Sequence, residues 1–130
     1  MRLNQVTVSA RDLAVSITFY RTLGLKLIVR SDHYARFECP DGGSTFSLHL
    51  DPAARGVSET TVYFENDDLD GVVARLRAEG IAFESGPVDQ GWLWREAYLR
   101  DPTGNRVCLY KAGEIRRFPP WRLSDAEASG

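Results

Sequence analysis

The stretch that decides the fold is QVTVSARDL, residues 5–13, because TVYFENDDL, residues 61–69, repeats it. Asp12-Leu13 matches Asp68-Leu69 and Gly24 matches Gly80, both at an offset of 56. Further along, FECPDGGSTFSLHL (37–50) aligns with LRDPTGNRVCLYK (99–111). There the offset becomes 62 at Pro40/Pro102 and 61 at Leu48/Leu109, as loops of unequal length require. An ordered series of matches marks two copies of one unit, and a missed repeat would misassign the whole fold.

Each copy reads strand, helix, strand, strand, strand. Leu3–Ser9 alternates Val6 and Val8 against Gln5, Thr7 and Ser9, the period of a half-buried strand. Asp12 suits an N-cap, Leu13, Ile17 and Tyr20 form an apolar helix face with Phe19 beside it, and Gly24 suits a left-handed C-terminal residue. Lys26–Arg30, Tyr34–Cys39 and Thr45–Leu50 read as strands, with Pro40-Asp41-Gly42-Gly43 as a turn. In the second copy the expected elements are a strand at Thr61–Glu65 and a helix capped by Asp68 with Leu69, Val72, Val73 and Leu76. Strands at Ile81–Glu84, Trp94–Arg100 and Arg106–Tyr110 follow, with the turn Asp101-Pro102-Thr103-Gly104-Asn105. The expectation is an α+β single domain over 1–123: module one about 1–51, a linker 51–59, module two about 60–111 and an extension 112–123. After Ser124, DAEASG (125–130) reads as a frayed tail or a short helical end.

The chain has 130 residues, 43% of them hydrophobic and 26% charged, which is enough for one packed core. A net charge of -2 gives no electrostatic reason to expect nucleic acid or an anionic membrane. No apolar run approaches the roughly 18 residues of a spanning helix, and residues 1–5 lack a signal-peptide core, so a cytoplasmic location is the default expectation. Cys39 and Cys108 are too few for a disulfide framework and lack CxxC spacing.

A helix must cover one face of each four-stranded sheet, so the other face is free to line a concavity. Phe46, Leu48 and Leu50, with Val107 and Leu109, suit the covered face. By alternation the concavity takes Gln5, Thr7 and Ser9; Ser47 and His49; Thr61, Tyr63 and Glu65; Trp94, Glu96 and Tyr98; and Cys108 and Tyr110. That mixture of polar groups and rings suits a ligand-binding surface better than a dry core. His49 reads as a ligand, a general base or a hydrogen-bonded wall residue. Glu65 and Glu96 read as pocket acids or as ion-pair partners of Arg36, Arg95 and Arg106. Tyr63, Tyr110, Trp92 and Trp94 could stack on a flat ligand or pack together. His33 falls in a turn and reads as solvated. In the extension, Phe118-Pro119-Pro120-Trp121 reads as extended, and its rings are expected to dock on the domain or on a dimer partner.

QVTVSARDLAVSITFYRTLGL, DDLDGVVARLRAEGI and DPTGNRVCLYK together resemble the glyoxalase/bleomycin resistance protein/dioxygenase (vicinal oxygen chelate) superfamily over roughly residues 3–111. The resemblance implies paired βαβββ modules forming an open, cupped sheet, usually as a homodimer. It does not imply one reaction, since the superfamily holds metal-dependent enzymes and metal-free antibiotic-sequestering proteins. Its metal ligands, mainly His and Glu with Gln tolerated at the first, carry over to Gln5, Ser47, Thr61 and Cys108. An amide, two hydroxyls and one thiol form a poor set for Ni²⁺, Fe²⁺ or Mn²⁺, and a lone thiolate lacks the usual complement for Zn²⁺.

The leading expectation is therefore a metal-free protein without cofactor. It binds a planar, partly apolar small molecule through Gln5, Ser47, His49, Thr61, Tyr63, Glu65, Trp94, Glu96, Cys108 and Tyr110. The alternative is a lyase, isomerase or oxygenase. Such an enzyme would use a displaced divalent ion on His49, Glu65 and Glu96, or His49 and Glu65 as a metal-free acid–base pair. A third possibility is an interaction module whose groove is filled by its own side chains.

Overall fold

The structure, a computed structural model, describes residues 1–56 and 59–130. Residues 57 and 58 of the expected linker lie outside the described residues. The elements run β1 (Gln5–Ala10), α1 (Leu13–Leu23), β2 (Lys26–Arg30), β3 (Tyr34–Glu38), β4 (Thr45–Leu50), β5 (Thr61–Glu65) and α2 (Leu69–Ala78). They continue as β6 (Val88–Asp89), β7 (Arg95–Arg100), β8 (Arg106–Lys111), a 3-10 turn (Gly113–Arg116) and α3 (Asp125–Ser129). The strands form two open four-stranded sheets, ordered β1-β4-β3-β2 and β5-β8-β7-β6. The α+β class and the duplicated order are thus as the sequence implies. By compactness the chain divides into one unit of 1–62 with 99–107 and another of 63–98 with 108–130.

In the first sheet β1 pairs with β4 in parallel, Gln5 opposite Thr45 and Ser47 opposite Thr7. β3 runs antiparallel to β4, with Tyr34 opposite His49 and Arg36 opposite Ser47. This register places Ala35, Phe37, Phe46 and Leu48 on one buried face, where α1 presents Leu13, Ile17, Phe19 and Tyr20. Tyr20 lies 4.6 Å from Phe46 and 5.1 Å from Phe19, measured between ring centroids. The helix begins where Asp12 Oδ1 accepts from the Val15 amide at 3.1 Å. It ends at Gly24, whose φ of 108° is the left-handed conformation that favours glycine.

The turn at 101–105 is fastened to the same unit. Asp101 Oδ1 accepts from the amides of Thr103, Gly104 and Asn105 at 2.9–3.0 Å. Its Oδ2 accepts from the Tyr20 hydroxyl at 2.7 Å and from Asn105 Nδ2 at 2.9 Å. Asn105 Nδ2 also donates to the Ser9 carbonyl, and the Arg11 amide donates to Thr103 Oγ1. A motif that the sequence marks only as a turn is a buried hydrogen-bonded anchor for α1 and the end of β1. Burial, followed by the charge and hydrogen bond of Asp101, raises the Tyr20 phenol far above its ordinary pKa.

Three sequence expectations change. The strand expected at Ile81–Glu84 is absent, although the Glu84 amide still donates to the Tyr98 carbonyl. The Ser85 amide shares that carbonyl and the Tyr98 amide donates to the Ser85 hydroxyl rather than to a backbone carbonyl, so regular pairing waits until Val88, opposite Glu96. Asp68 does not cap α2 with its side chain. Instead Asn66 Oδ1 accepts from the Asp68 amide, an Asx turn that satisfies the approach to the helix. Finally, the extension turns through a 3-10 helix, and Phe118 and Trp121 stay more than half exposed rather than docking on the chain. Phe118 is flanked instead by the guanidinium groups of Arg117 and Arg122. Residues 125–129 take the helical alternative, with a reciprocal Ser124–Glu127 capping box.

Candidate ligand-binding site

Alternation sets the chemistry of the second sheet. Ala97, Leu99, Val107 and Leu109 are buried on one side, while Glu96, Tyr98, Cys108 and Tyr110 take the other. That second face holds a cluster of rings. Trp94 and Tyr110 stack with centroids 4.7 Å apart and planes 21° apart. Tyr63 meets both edge-on, at 5.9 and 5.6 Å. Tyr110 is nearly buried, whereas Tyr63 keeps 44% of its surface exposed, so the cluster is anchored below and open above. Such geometry can receive a further ring, because stacked and edge-on pairs each contribute roughly 0.5–1.5 kcal/mol beyond simple burial.

Glu96 lies beside these rings and is 1% exposed. Its Oε2 accepts from Trp92 Nε1 at 2.9 Å and its Oε1 from the Tyr98 hydroxyl at 2.8 Å. Burial, then hydrogen bonding with Tyr63 and Glu96, pushes the Tyr98 phenol well above its ordinary pKa, so it remains a donor. Tyr110 is raised too, chiefly by burial and then by the charge of Glu65. Cys108 is fully buried, and its thiol donates towards the Leu109 carbonyl at 3.7 Å.

Glu65 has another task. Its Oε2 accepts from the amides of Ala112 and Gly113 at 2.8 and 2.9 Å, holding the start of the 3-10 turn. The expected ion pairs of Glu65 and Glu96 do not form among the described residues. Arg95 pairs with Asp70 at 2.9 Å and Asp89 at 3.0 Å, and Arg36 donates to the Tyr34 hydroxyl.

In the first unit the face opposite α1 is a polar chain. Gln5 Nε2 donates to Ser47 Oγ at 2.8 Å, and Ser47 Oγ is bonded to the Tyr34 hydroxyl at 2.6 Å. Arg36 Nε closes the chain on Tyr34 at 2.9 Å, while Thr45 Oγ1 donates to Gln5 Oε1. The hydrogen bond with Ser47, foremost, and then Arg36 lower the Tyr34 phenol's pKa. Tyr34 and Arg36 were not singled out as site residues, yet their alternation with buried Ala35 and Phe37 was the available signal. His49 is exposed and its side chain makes no hydrogen bond among the described residues, and Thr61 is half-buried. Among the described residues no three His, Cys, Asp or Glu side chains group as a metal ion would require. A separate cavity of about 380 Å³ opens in this unit, lined by Val6–Ser9, Arg55, Thr60 and Val62 among others. Thr7 and Ser9, expected on the concave face, line it, but none of the ten residues expected to hold the ligand does, and no aromatic ring lines it.

Two repeated modules, each a four-stranded open sheet with a helix, define a class. Residues 2–109 match the Glyoxalase/Bleomycin resistance protein/Dioxygenase superfamily, and the chain belongs to it. An uncharacterized protein of Mycolicibacterium smegmatis is 32% identical over 106 residues, 81% of this chain and 89% of that protein. A glyoxalase/bleomycin resistance protein/dioxygenase from Nocardioides superposes with a TM-score of 0.75 at 28% identity, covering 95% of this chain and 90% of its own. A bleomycin-binding protein complexed with bleomycin has the same fold, with a TM-score of 0.71 and 22% identity over 85% of this chain and 98% of its own. Among the described residues no helix is long and apolar enough to cross a membrane.

Proposed function

We propose that the protein is a metal-independent binder that sequesters a planar, partly apolar small molecule against the ring cluster of its second module. The observation that carries this reading is the half-open Tyr63–Trp94–Tyr110 arrangement. The residues at the superfamily's metal positions favour it as well. Gln5 and Ser47 are hydrogen-bonded to one another, Thr61 offers a hydroxyl, and the Cys108 thiol is buried. This donor set does not fit a divalent ion that needs imidazole or carboxylate ligands. The bleomycin complex of a fold relative is consistent with the same use of the scaffold.

Elemental analysis with native mass spectrometry on protein purified without added metal tests this reading. The expected result is no stoichiometric metal, with or without a retained organic ligand. Stoichiometric Ni, Zn, Fe or Mn would overturn it and return the chain to the metal-dependent enzymes.

A further inference from the structure

Glu96 is the most unusual group in the second module. A carboxyl group 1% exposed ordinarily has a cationic partner, because burying a charge without one is costly. Here both oxygens are met by neutral donors, the Trp92 indole and the Tyr98 phenol. The neighbouring cation, Arg95, points to Asp70 and Asp89 instead. An indole N–H can only donate, so Trp92 occupies an acceptor that a ligand's N–H could claim.

Trp92 is placed to give way. The residue is 48% exposed although its indole nitrogen reaches a buried oxygen, so it covers Glu96 as a cap. The next residue, Leu93, stands at φ 71°, a left-handed conformation that a leucine seldom adopts. The Leu93 amide is tied back to the Gln90 carbonyl, keeping the cap on a tight turn. Beside it, Trp94, Tyr110 and Tyr63 present ring faces and edges, and ring faces attract cations.

We propose that Glu96 anchors a cationic N–H group on the bound molecule, and that Trp92 swings outward to admit it. The ligand class is then a planar heteroaromatic cation, with its ring against Trp94 and Tyr63 and its charged N–H on Glu96. This inference rests on the binding reading above and narrows it.

The test uses two flat probes of nearly equal size, 9-aminoacridine, which is cationic near neutral pH, and acridine, which is neutral there. Titration calorimetry on the full chain should show 9-aminoacridine binding at least about tenfold more tightly. Glu96→Gln should erase that preference, bringing the ratio of the two affinities to about one. Trp92→Phe, which keeps a ring but removes the competing N–H, should tighten 9-aminoacridine several-fold and widen its preference over acridine. If Glu96→Gln does not fold, the wild-type preference and Trp92→Phe still decide. Equal affinity of wild type for both probes, a preference surviving Glu96→Gln, or no gain in Trp92→Phe overturns the inference. Acridine binding without a cation preference leaves the planar-ligand reading standing. Binding of neither probe overturns both.

Discussion

Replacing Tyr20 by Phe removes one oxygen and keeps the ring in its core position. The hydroxyl lies 2.7 Å from Asp101 Oδ2, and both residues are buried. A hydrogen bond to a charged group contributes a net of about 1.5–3 kcal/mol. Asp101 would keep its other donors, three amides and Asn105 Nδ2, so the loss falls in the lower half of that range, about 2 kcal/mol. For a chain of this size that corresponds to a drop in Tm of roughly 6–10 °C. Asp101→Ala is more severe, because it strips the turn of its organising acceptor and strands a buried hydroxyl. About 4 kcal/mol is expected. In the double variant no hydroxyl is stranded, so the combined loss should fall short of the sum by about 1–2 kcal/mol. Urea unfolding followed by tryptophan fluorescence measures all three. A Tyr20→Phe effect within about 0.5 kcal/mol of zero, or strict additivity, would refute the anchor.

The same contact predicts a pH dependence. Because the folded state raises the Tyr20 pKa above its ordinary value of 10.0, its contribution is fully present below that value and is lost progressively as pH rises from there towards the higher folded pKa. Each such tyrosine should cost about 1.4 kcal/mol of stability per pH unit above about 10, and Tyr20→Phe should flatten the decline in urea midpoint. Gly56→Ala should be strongly destabilising. The residue has φ 63°, and an added Cβ would overlap the Gly104 carbonyl carbon and the Thr103 oxygen. About 2–4 kcal/mol is expected in the same urea assay, and a loss below about 0.5 kcal/mol would show that the turn can move aside.

How much of this could be read from sequence depends on whether the signal is local. The caps of α1 were legible because Asp12 and Gly24 act through their own backbone neighbourhood. The ring cluster was legible because alternation puts Trp94, Tyr63 and Tyr110 on one sheet face. By contrast, nothing in Asp101-Pro102-Thr103-Gly104-Asn105 announces a partner 81 residues away on α1. The Glu96–Trp92 contact was hidden because a turn sets it, and that turn depends on the unusual φ of Leu93. The missing strand at 81–84 is a different failure. Ile81-Ala82-Phe83 is apolar enough for a strand, but the Tyr98 amide opposite is taken by the Ser85 hydroxyl, which no local pattern announces.

The repeat also shows where two copies of one backbone have parted. By the offsets of 56 and 62, Tyr20 corresponds to Leu76 and Asp101 to Cys39, so the polar anchor has an apolar counterpart in the other copy. By the same offset Tyr34 corresponds to Glu96 and Arg36 to Tyr98. In the first copy those positions belong to a hydrogen-bonded chain that ties up Gln5 and Ser47, with Arg36 supplying the charge. In the second a buried carboxyl group meets, among the described residues, the neutral donors of Trp92 and Tyr98, beside rings that stand partly open. Duplication fixes which positions share a face, and packing against a helix fixes the other side. The helix-free faces are left to diverge in sign of charge, in burial and in aromatic content. A ligand that needs both a flat apolar wall and a carboxyl anchor would find them together in the second copy, which is why the proposed recognition falls there.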